Sequence, residues 1–357
     1  MSQDNKGFRP LTLSEFDTLT HLLSKLLSTQ QSPVIIPGEA ILGIEAIAAG
    51  ISAPGRKILN IVTGPYGDIF GKWLERGGAE VIEVKVPFDE VITVEVVTAA
   101  IERYNPCALS FVQGEAVTGG TNPTKEILDI ARRSNLITVA DSVSAIGGEP
   151  VLMDEWGIDF VAIGAQKALA GPNGISAVGI SSRGWEFLAS NEHAPRNSIL
   201  SLLDLRCPHT SSAPLRVPAN IPVLEARALI EALTLVEQEG LEVVNHRHQL
   251  ASTAAIAGIT ALGLEPWQRK ESGYSPLTTT VRIPQSDSNL RINEPIGIVA
   301  PGDGELYGKL LRINHFGANA NQQSIEQAIT TLAELVHQDP ANAIAVQRSI
   351  WGNEDGR

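Results

Sequence analysis

Lys167 follows the apolar run FVAIG in the segment DFVAIGAQKALAGPNGIS, among alanines and glycines where a surface charge would gain little. An amine in a partly desolvated pocket loses proton affinity, which makes it a nucleophile toward an aldehyde and later a base for a Cα proton. Three more chemically capable side chains stand just beyond strand-like runs: Tyr66 in TGPYG after ILNIV, Glu115 in QGEAVTGG after ALSFV, and Asp141 directly after LITVA. Gln166 immediately precedes the lysine. An aromatic ring, two carboxylates and an amine gathered in one crevice can hold a flat, charged heterocycle. A carboxylate opposite a pyridine nitrogen keeps that nitrogen protonated and the ring electron-accepting, a role that suits Asp141, and the planar body of Tyr66 suits stacking. Each residue alone has a plainer reading: Lys167 as a helix-end or surface lysine, Asp141 as a helix N-cap, Tyr66 as a turn aromatic. Their joint placement favours the chemical reading, because the crevice of an open parallel sheet lies at the carboxyl ends of its strands.

The elements that must position these residues follow from the apolar patterning. Residues 11–29 carry Leu and Phe at helical spacing and predict an amphipathic helix that packs on a core or on a partner subunit. From residue 34 to about 182, short apolar runs alternate with helical patterns, the βαβ rhythm of a mostly parallel sheet covered by helices. Residues 195–222, rich in Pro, Ser and Arg, predict a long connection lining the site. A helix near 223–262 then leads to a smaller α+β region with strands near 277–283 and 309–314. The expected fold class is α/β. Its divisions are an N-terminal arm or helix at 1–29, a large cofactor-binding domain at 30–222, a small C-terminal domain at 223–340 and a frayed tail at 341–357.

Composition removes several function classes. A net charge of -13 opposes the phosphate neutralisation on which nucleic-acid binding depends. Cys107 and Cys207 match no metal-ligand spacing and make no disulfide framework, so no metal is expected and a reducing cytoplasm fits. No apolar run approaches the roughly 18 residues of a membrane span, and the expectation is a cytoplasmic protein without a membrane anchor. GPNG and GGEP are weak phosphate-loop matches, and no G-x-G-x-x-G follows a strand.

The stretch VADSVSAIGGEPVLMDEWGIDFVAIGAQKALAGPNGIS resembles the cofactor segment of the class V, fold-type I aminotransferases of the alanine–glyoxylate kind. There an Asp-Ser/Ala-Val-Ser stretch is followed by a Ser-Gln-Lys-like Schiff-base site. PGEAILGIEA, TGPYGDIFGKW, SPLTTTVR and GELYGKLLRINHFG resemble the pyridoxamine–pyruvate branch of that family. The resemblance implies pyridoxal 5'-phosphate as cofactor, or unphosphorylated pyridoxal or pyridoxamine as bound substrate. It implies that Lys167 forms the Schiff base, Asp141 pairs the pyridine nitrogen, Tyr66 stacks on the ring, and Arg312 in LLRINHFG clamps the substrate carboxylate in the bidentate way arginine favours. Gly38, Glu39, Ala40, Glu115 and Gln166 complete the implied cofactor site. The implied reaction moves an amino group between pyridoxamine or a small amino acid and a 2-oxo acid such as pyruvate or glyoxylate, in a homodimer or homotetramer. Competing expectations are β-elimination or aldol cleavage on an amino acid by a pyridoxal-phosphate enzyme, and a non-enzymatic B6- or dinucleotide-binding protein.

Four departures from the family pattern carry information. Its members bind the cofactor phosphate with a Ser-Gly-Thr type loop opening a helix; here the loop is Pro37-Gly38-Glu39-Ala40-Ile41, without a hydroxyl and with a carboxylate. At 4 Å from a phosphate, that carboxylate would cost about 4 kcal/mol per charge pair at an effective dielectric near 20. The expectation is that Glu39 meets a 5'-hydroxymethyl group and disfavours phosphate. The plainer alternative is that it only complements the helix dipole. Asp303 stands in PGDGE where the branch has a second arginine, which implies a changed second substrate, and Ala116 replaces a hydroxyl residue near the cofactor. No counterpart of the family's opening Gly-Pro loop precedes residue 10, which implies a more open acceptor pocket or one completed by the partner subunit.

Overall fold

The computed structural model describes residues 9–206, 220–284 and 289–352. Residues 207–219 of the connection expected to line the site, Cys207 among them, lie outside the described residues. In chain order the elements are α1 (Leu13–Leu26), β1 (Val34–Ile36), α2 (Ala40–Ile51), β2 (Lys57–Val62), α3 (Pro65–Arg76), β3 (Glu80–Lys85), α4 (Val94–Tyr104), β4 (Ala108–Val112), β5 (Gly114–Glu115), β6 (Gly120–Thr121), α5 (Thr124–Arg133) and β7 (Ile137–Asp141). They continue as α6 (Met153–Trp156), β8 (Phe160–Gly164), β9 (Ser176–Ile180), α7 (Ser182–Ala189), α8 (Leu202–Leu205), α9 (Val223–Glu239), α10 (Leu241–Ala261), β10 (Thr279–Arg282), β11 (Val299–Pro301), β12 (Leu310–Ile313), α11 (Gln322–Leu335) and α12 (Ala341–Gly352).

Seven strands form the main sheet in the order β1-β9-β8-β7-β4-β2-β3. The pairs from β3 to β8 are parallel, while β9 is antiparallel to both β8 and β1, so within this sheet only β9 is reversed. From β2 the chain first lays β3 on one side and then β4 on the other, which makes the gap between β2 and β4 a topological switch point, where such sheets bind ligands. Alternate side chains serve opposite faces: Leu59 and Ile61 join the cluster under α1, α4 and α5, while Ile58 joins the cluster with Ile44 and Ile47 of α2 and Phe70 and Leu74 of α3. Each such fully buried side chain contributes roughly 1.5–3 kcal/mol. The strand runs read from sequence are all present. α1 starts on a capping box between Thr12 and Glu15 and buries Phe16, Leu19, Leu22, Leu23 and Leu26, as its spacing predicts.

The C-terminal region carries a second sheet, β10-β12-β11, all antiparallel, packed on α10 and α11. Here the structure departs from the sequence reading. The expected single helix over 223–262 is two helices that part at Gly240, whose φ of 90° no helix residue adopts. Residues 341–352, expected as tail, form α12, which packs on α10 and α11 with Ala343 and Gln347 buried. Its apolar residues are too widely mixed with polar ones to declare the helix in advance. Among the described residues no helix is long and apolar enough to cross a membrane, and no group of three or more His, Cys, Asp or Glu is disposed to hold a metal.

Candidate active site

Strand register brings distant residues together. Val112, Asp141 and Ala162 lie side by side on β4, β7 and β8, while Ile36 and Gly164 flank Ser176 of β9. Residues just beyond these positions emerge on one edge: Glu39 after β1, Glu115 after β4, Asp141 itself, and Gln166 and Lys167 after β8. Tyr66 joins them from the first turn of α3. Glu39, Ala40, Tyr66, Asp141, Gln166 and Lys167 border one pocket. Asn122, which sequence reasoning passed over, fastens the strand ends at the switch point by donating to Thr63 Oγ1 (2.8 Å) and the Val112 carbonyl (2.7 Å).

Lys167 is presented by a turn closed by Ala170 N–H to the Lys167 carbonyl (3.0 Å) and Gly171 N–H to the Ala165 carbonyl (2.8 Å). Ala170 sits at φ 53°, a left-handed conformation that costs a residue with a Cβ roughly 1–2 kcal/mol. Burial, then the charge of Arg312, lowers the lysine's pKa, against the opposing carboxylates of Glu39, Asp141 and Asp303. Its Nζ lies 5.1 Å from the centroid of the Phe316 ring. The next residue, Gly317, has a φ of 62°, and a Cβ there would lie 3.0 Å from the Lys167 carbonyl oxygen, so the turn favours glycine. Two further residues secure that turn: Gly317 N–H donates to His248 Nε2 (3.0 Å), and Arg247 donates to the Gly317 carbonyl (2.7 Å). His248 Nδ1 lies 2.6 Å from the Val244 carbonyl and donates to it, which leaves Nε2 as acceptor. The phrase NHFG within the strand-like GELYGKLLRINHFG was the signal that could have pointed to Phe316. Nothing in the sequence pointed to His248.

Asp141 is buried, with one oxygen accepting from Val143 N–H at 3.0 Å. Burial pushes its pKa up to about 7, against the Val143 N–H and the Lys167 charge. Glu115 lies deeper. Burial, and then the charge of Asp141, push its pKa up to about 8, although the backbone N–H groups of Tyr66, Gly67 and Val117 face it and pull the other way. None of them reaches either oxygen with hydrogen-bond geometry. The carboxyl stands at the start of α3, where Gly64 has no side chain to cap the helix. A Cβ on Gly64 would lie 2.2 Å from Glu115 Cγ, so the approach requires glycine.

The first turn of α2 holds an anion already, and it is the chain's own. Glu39 is the N-cap: its Oε2 accepts from Ile41 N–H (2.9 Å) and its Oε1 from Gln166 Nε2 (2.5 Å). Ser176 Oγ donates to the Gly38 carbonyl (2.9 Å) and fixes the loop. Gln166 Oε1 is buried without a partner. The cup therefore presents acceptors, which suit a hydroxyl donor and oppose a phosphate. At the other end, Arg312 Nε donates to the Pro301 carbonyl (3.1 Å) and Nη1 lies 2.8 Å from Asp303 Oδ2.

This arrangement fits a pyridine ring bearing an aldehyde or aminomethyl group. Asp141 could hold a proton of the ring nitrogen, and Lys167 could reach the aldehyde. Tyr66, with 37% of its surface exposed beside the pocket, could lie on the ring face.

Comparison with known proteins agrees with this geometry. The family model described as aminotransferase class-V matches residues 36–290. Pyridoxamine–pyruvate transaminase of Mesorhizobium japonicum is 32% identical over 341 residues, covering 92% of this chain and 86% of its own. Alanine–glyoxylate aminotransferase of Drosophila melanogaster is 27% identical over 84% of this chain and 78% of its own. The crystal structure of pyridoxamine–pyruvate aminotransferase from Mesorhizobium loti superposes with a TM-score of 0.89 at 29% identity, covering 96% of this chain and 89% of that one. The chain belongs to the class-V aminotransferase family, and its fold is that of the fold-type I pyridoxal-phosphate enzymes. These relatives are transaminases, which leaves β-elimination, aldol cleavage and simple binding without support.

Proposed function

We propose that the protein transfers an amino group between pyridoxamine, or a small amino acid, and a 2-oxo acid such as pyruvate or glyoxylate, with unphosphorylated vitamin B6 preferred in the pocket. One observation carries the preference: Glu39 fills the anion position at the start of α2 and, with the unpartnered Gln166 Oε1, leaves a cup of acceptors. A phosphate there would have to displace Glu39 from two hydrogen bonds or bear a repulsion of about 4 kcal/mol at 4 Å. A hydroxymethyl group would donate to it.

The bound B6 ring would supply an electron-withdrawing system and a carbon that carries the amino group. The chain's residues do the rest. Lys167, its proton affinity lowered by burial, takes the substrate Cα proton and returns it on the opposite side of the exchange. Asp141 holds the ring-nitrogen proton, Tyr66 and the first turn of α2 orient the ring, and Arg312 orients the acid. Residues 30–222 then act as the cofactor-binding domain and 223–340 as the small domain. The same reading carries a cytoplasmic homodimer or homotetramer, which light scattering on the purified protein tests.

The direct test is a spectral titration of apoprotein with pyridoxal and separately with pyridoxal 5'-phosphate, repeated on Lys167→Ala. A visible band that requires Lys167 and forms at lower pyridoxal concentration supports the reading, and alanine formation from pyridoxamine and pyruvate completes it. Tighter binding of the phosphorylated form to the native protein would overturn the assignment of Glu39.

A further inference from the structure

The ion pair between Arg312 and Asp303 has unequal ends. The arginine side chain is only 16% exposed and is tied to the Pro301 carbonyl, whereas the aspartate side chain is 63% exposed. Asp303 is kept in place by its backbone, through Gly302 N–H to the Leu310 carbonyl and Leu306 N–H to the Asp303 carbonyl, both 3.0 Å. Its charge opposes the lowering of the Lys167 pKa and adds to the raising of the Tyr66 pKa, so the carboxylate acts within electrostatic reach of the pocket. A pair this exposed holds its partners by no more than about a fivefold factor. Rotation of the Asp303 side chain into solvent would free the guanidinium without moving the backbone. The negative charge would still remain nearby, because the tethered loop cannot carry it away.

We infer that Asp303 is a specificity-determining residue: a tethered carboxylate that rests on Arg312, gives way to the acid group of a monocarboxylic substrate, and repels a second acid group. The site then selects 2-oxo monoacids, and amino acids with neutral or cationic side chains, over dicarboxylates. The inference rests on Arg312 as the carboxylate clamp of the proposed reaction, and like-charge repulsion at a partly screened distance supplies the discrimination.

The test is calorimetric titration of protein saturated with its preferred B6 vitamer, using propionate and succinate as unreactive probes, on the native chain, Asp303→Asn and Arg312→Ala. Asp303→Asn should bind propionate about two- to fivefold more tightly and succinate about tenfold more tightly. Its KM for pyruvate should fall. Asp303→Asn shifting both probes by the same factor, or neither, overturns the role of Asp303 while leaving Arg312 as clamp. Propionate binding that survives Arg312→Ala removes the clamp and the inference together. Asp303 is exposed, so loss of folding does not confuse the outcome.

Discussion

The two ends of the pocket solve the same problem in different ways. On the proposed reading, the chain places its own carboxylate at both anion positions, at the start of α2 and on Arg312. Glu39 is built into a helix cap, half-buried and holding two hydrogen bonds, while Asp303 hangs from an exposed loop by one ion pair. Partners separate them: a carboxylate held by two hydrogen bonds excludes a competing anion, and an exposed one held by a single ion pair yields to it. The first is expected to decide which vitamer is bound, the second which acid.

Perturbing the two ends separately sharpens or breaks this contrast. Lys167 lies between them and sets the scale, since Lys167→Ala should lower amino transfer by roughly 10⁴-fold in single-turnover assays, the loss expected of a positioned base. Arg312→Ala should lower kcat/KM for pyruvate by roughly 100-fold, the loss expected when a partly buried charged partner is cut away. An equal loss for a substrate without a carboxylate would show that the effect is structural. Glu39→Ser should raise the affinity for pyridoxal 5'-phosphate relative to pyridoxal by about ten- to a hundredfold in the spectral titration. An unchanged ratio would remove the α2 end from the contrast.

Glu115 is a fully buried carboxylate with no cation to rest on. Its pKa is raised to about 8 in the folded protein, against about 4.3 unfolded, so its contribution favours folding at low pH and is lost as pH rises through that interval. Asp141 and Glu149, both raised to about 7 chiefly by burial, act in the same direction. His248, lowered to about 4, and His315, lowered to about 3, act oppositely and cost stability as pH falls below their ordinary range. Glu115→Gln should therefore flatten the apoprotein's loss of stability between pH 5 and 8, with a gain of about 1 kcal/mol at the alkaline end in denaturant unfolding. The smallest expected change is the two- to fivefold tightening of propionate by Asp303→Asn.

Much of this was legible in the sequence where periodicity and chemistry coincide. The strands after which Tyr66, Glu115, Asp141 and Lys167 appear were readable because runs such as ALSFV are buried on both faces and leave no ambiguity of pattern. α12 was not readable, because its fit to α10 is a tertiary contact and not a property of its own residues. The break at Gly240 was hidden by helical patterning on both sides. Glu39 was suspected as an intruder in the cup, but its pairing with Gln166 depends on β1 and β8 both flanking β9, an order no local pattern encodes. Asp303 likewise announced a change of charge, while its seat on Arg312 appears only once β11 and β12 are paired.

The reversal of β9 has a further consequence for the lysine. Had β8 been followed by a crossover helix, the segment bearing Lys167 would have been handed to an outer layer free to breathe against the sheet. Instead residues 165–175 return directly into the neighbouring strand, where Gly164 and Ser176 are register partners, so both ends of the loop are pinned at the same rim. The amide protons of Ala170 and Gly171, bonded to the Lys167 and Ala165 carbonyls, should therefore exchange more slowly than that of exposed Asn173, and the Lys167 side chain keeps its bearing while the surrounding helices fluctuate.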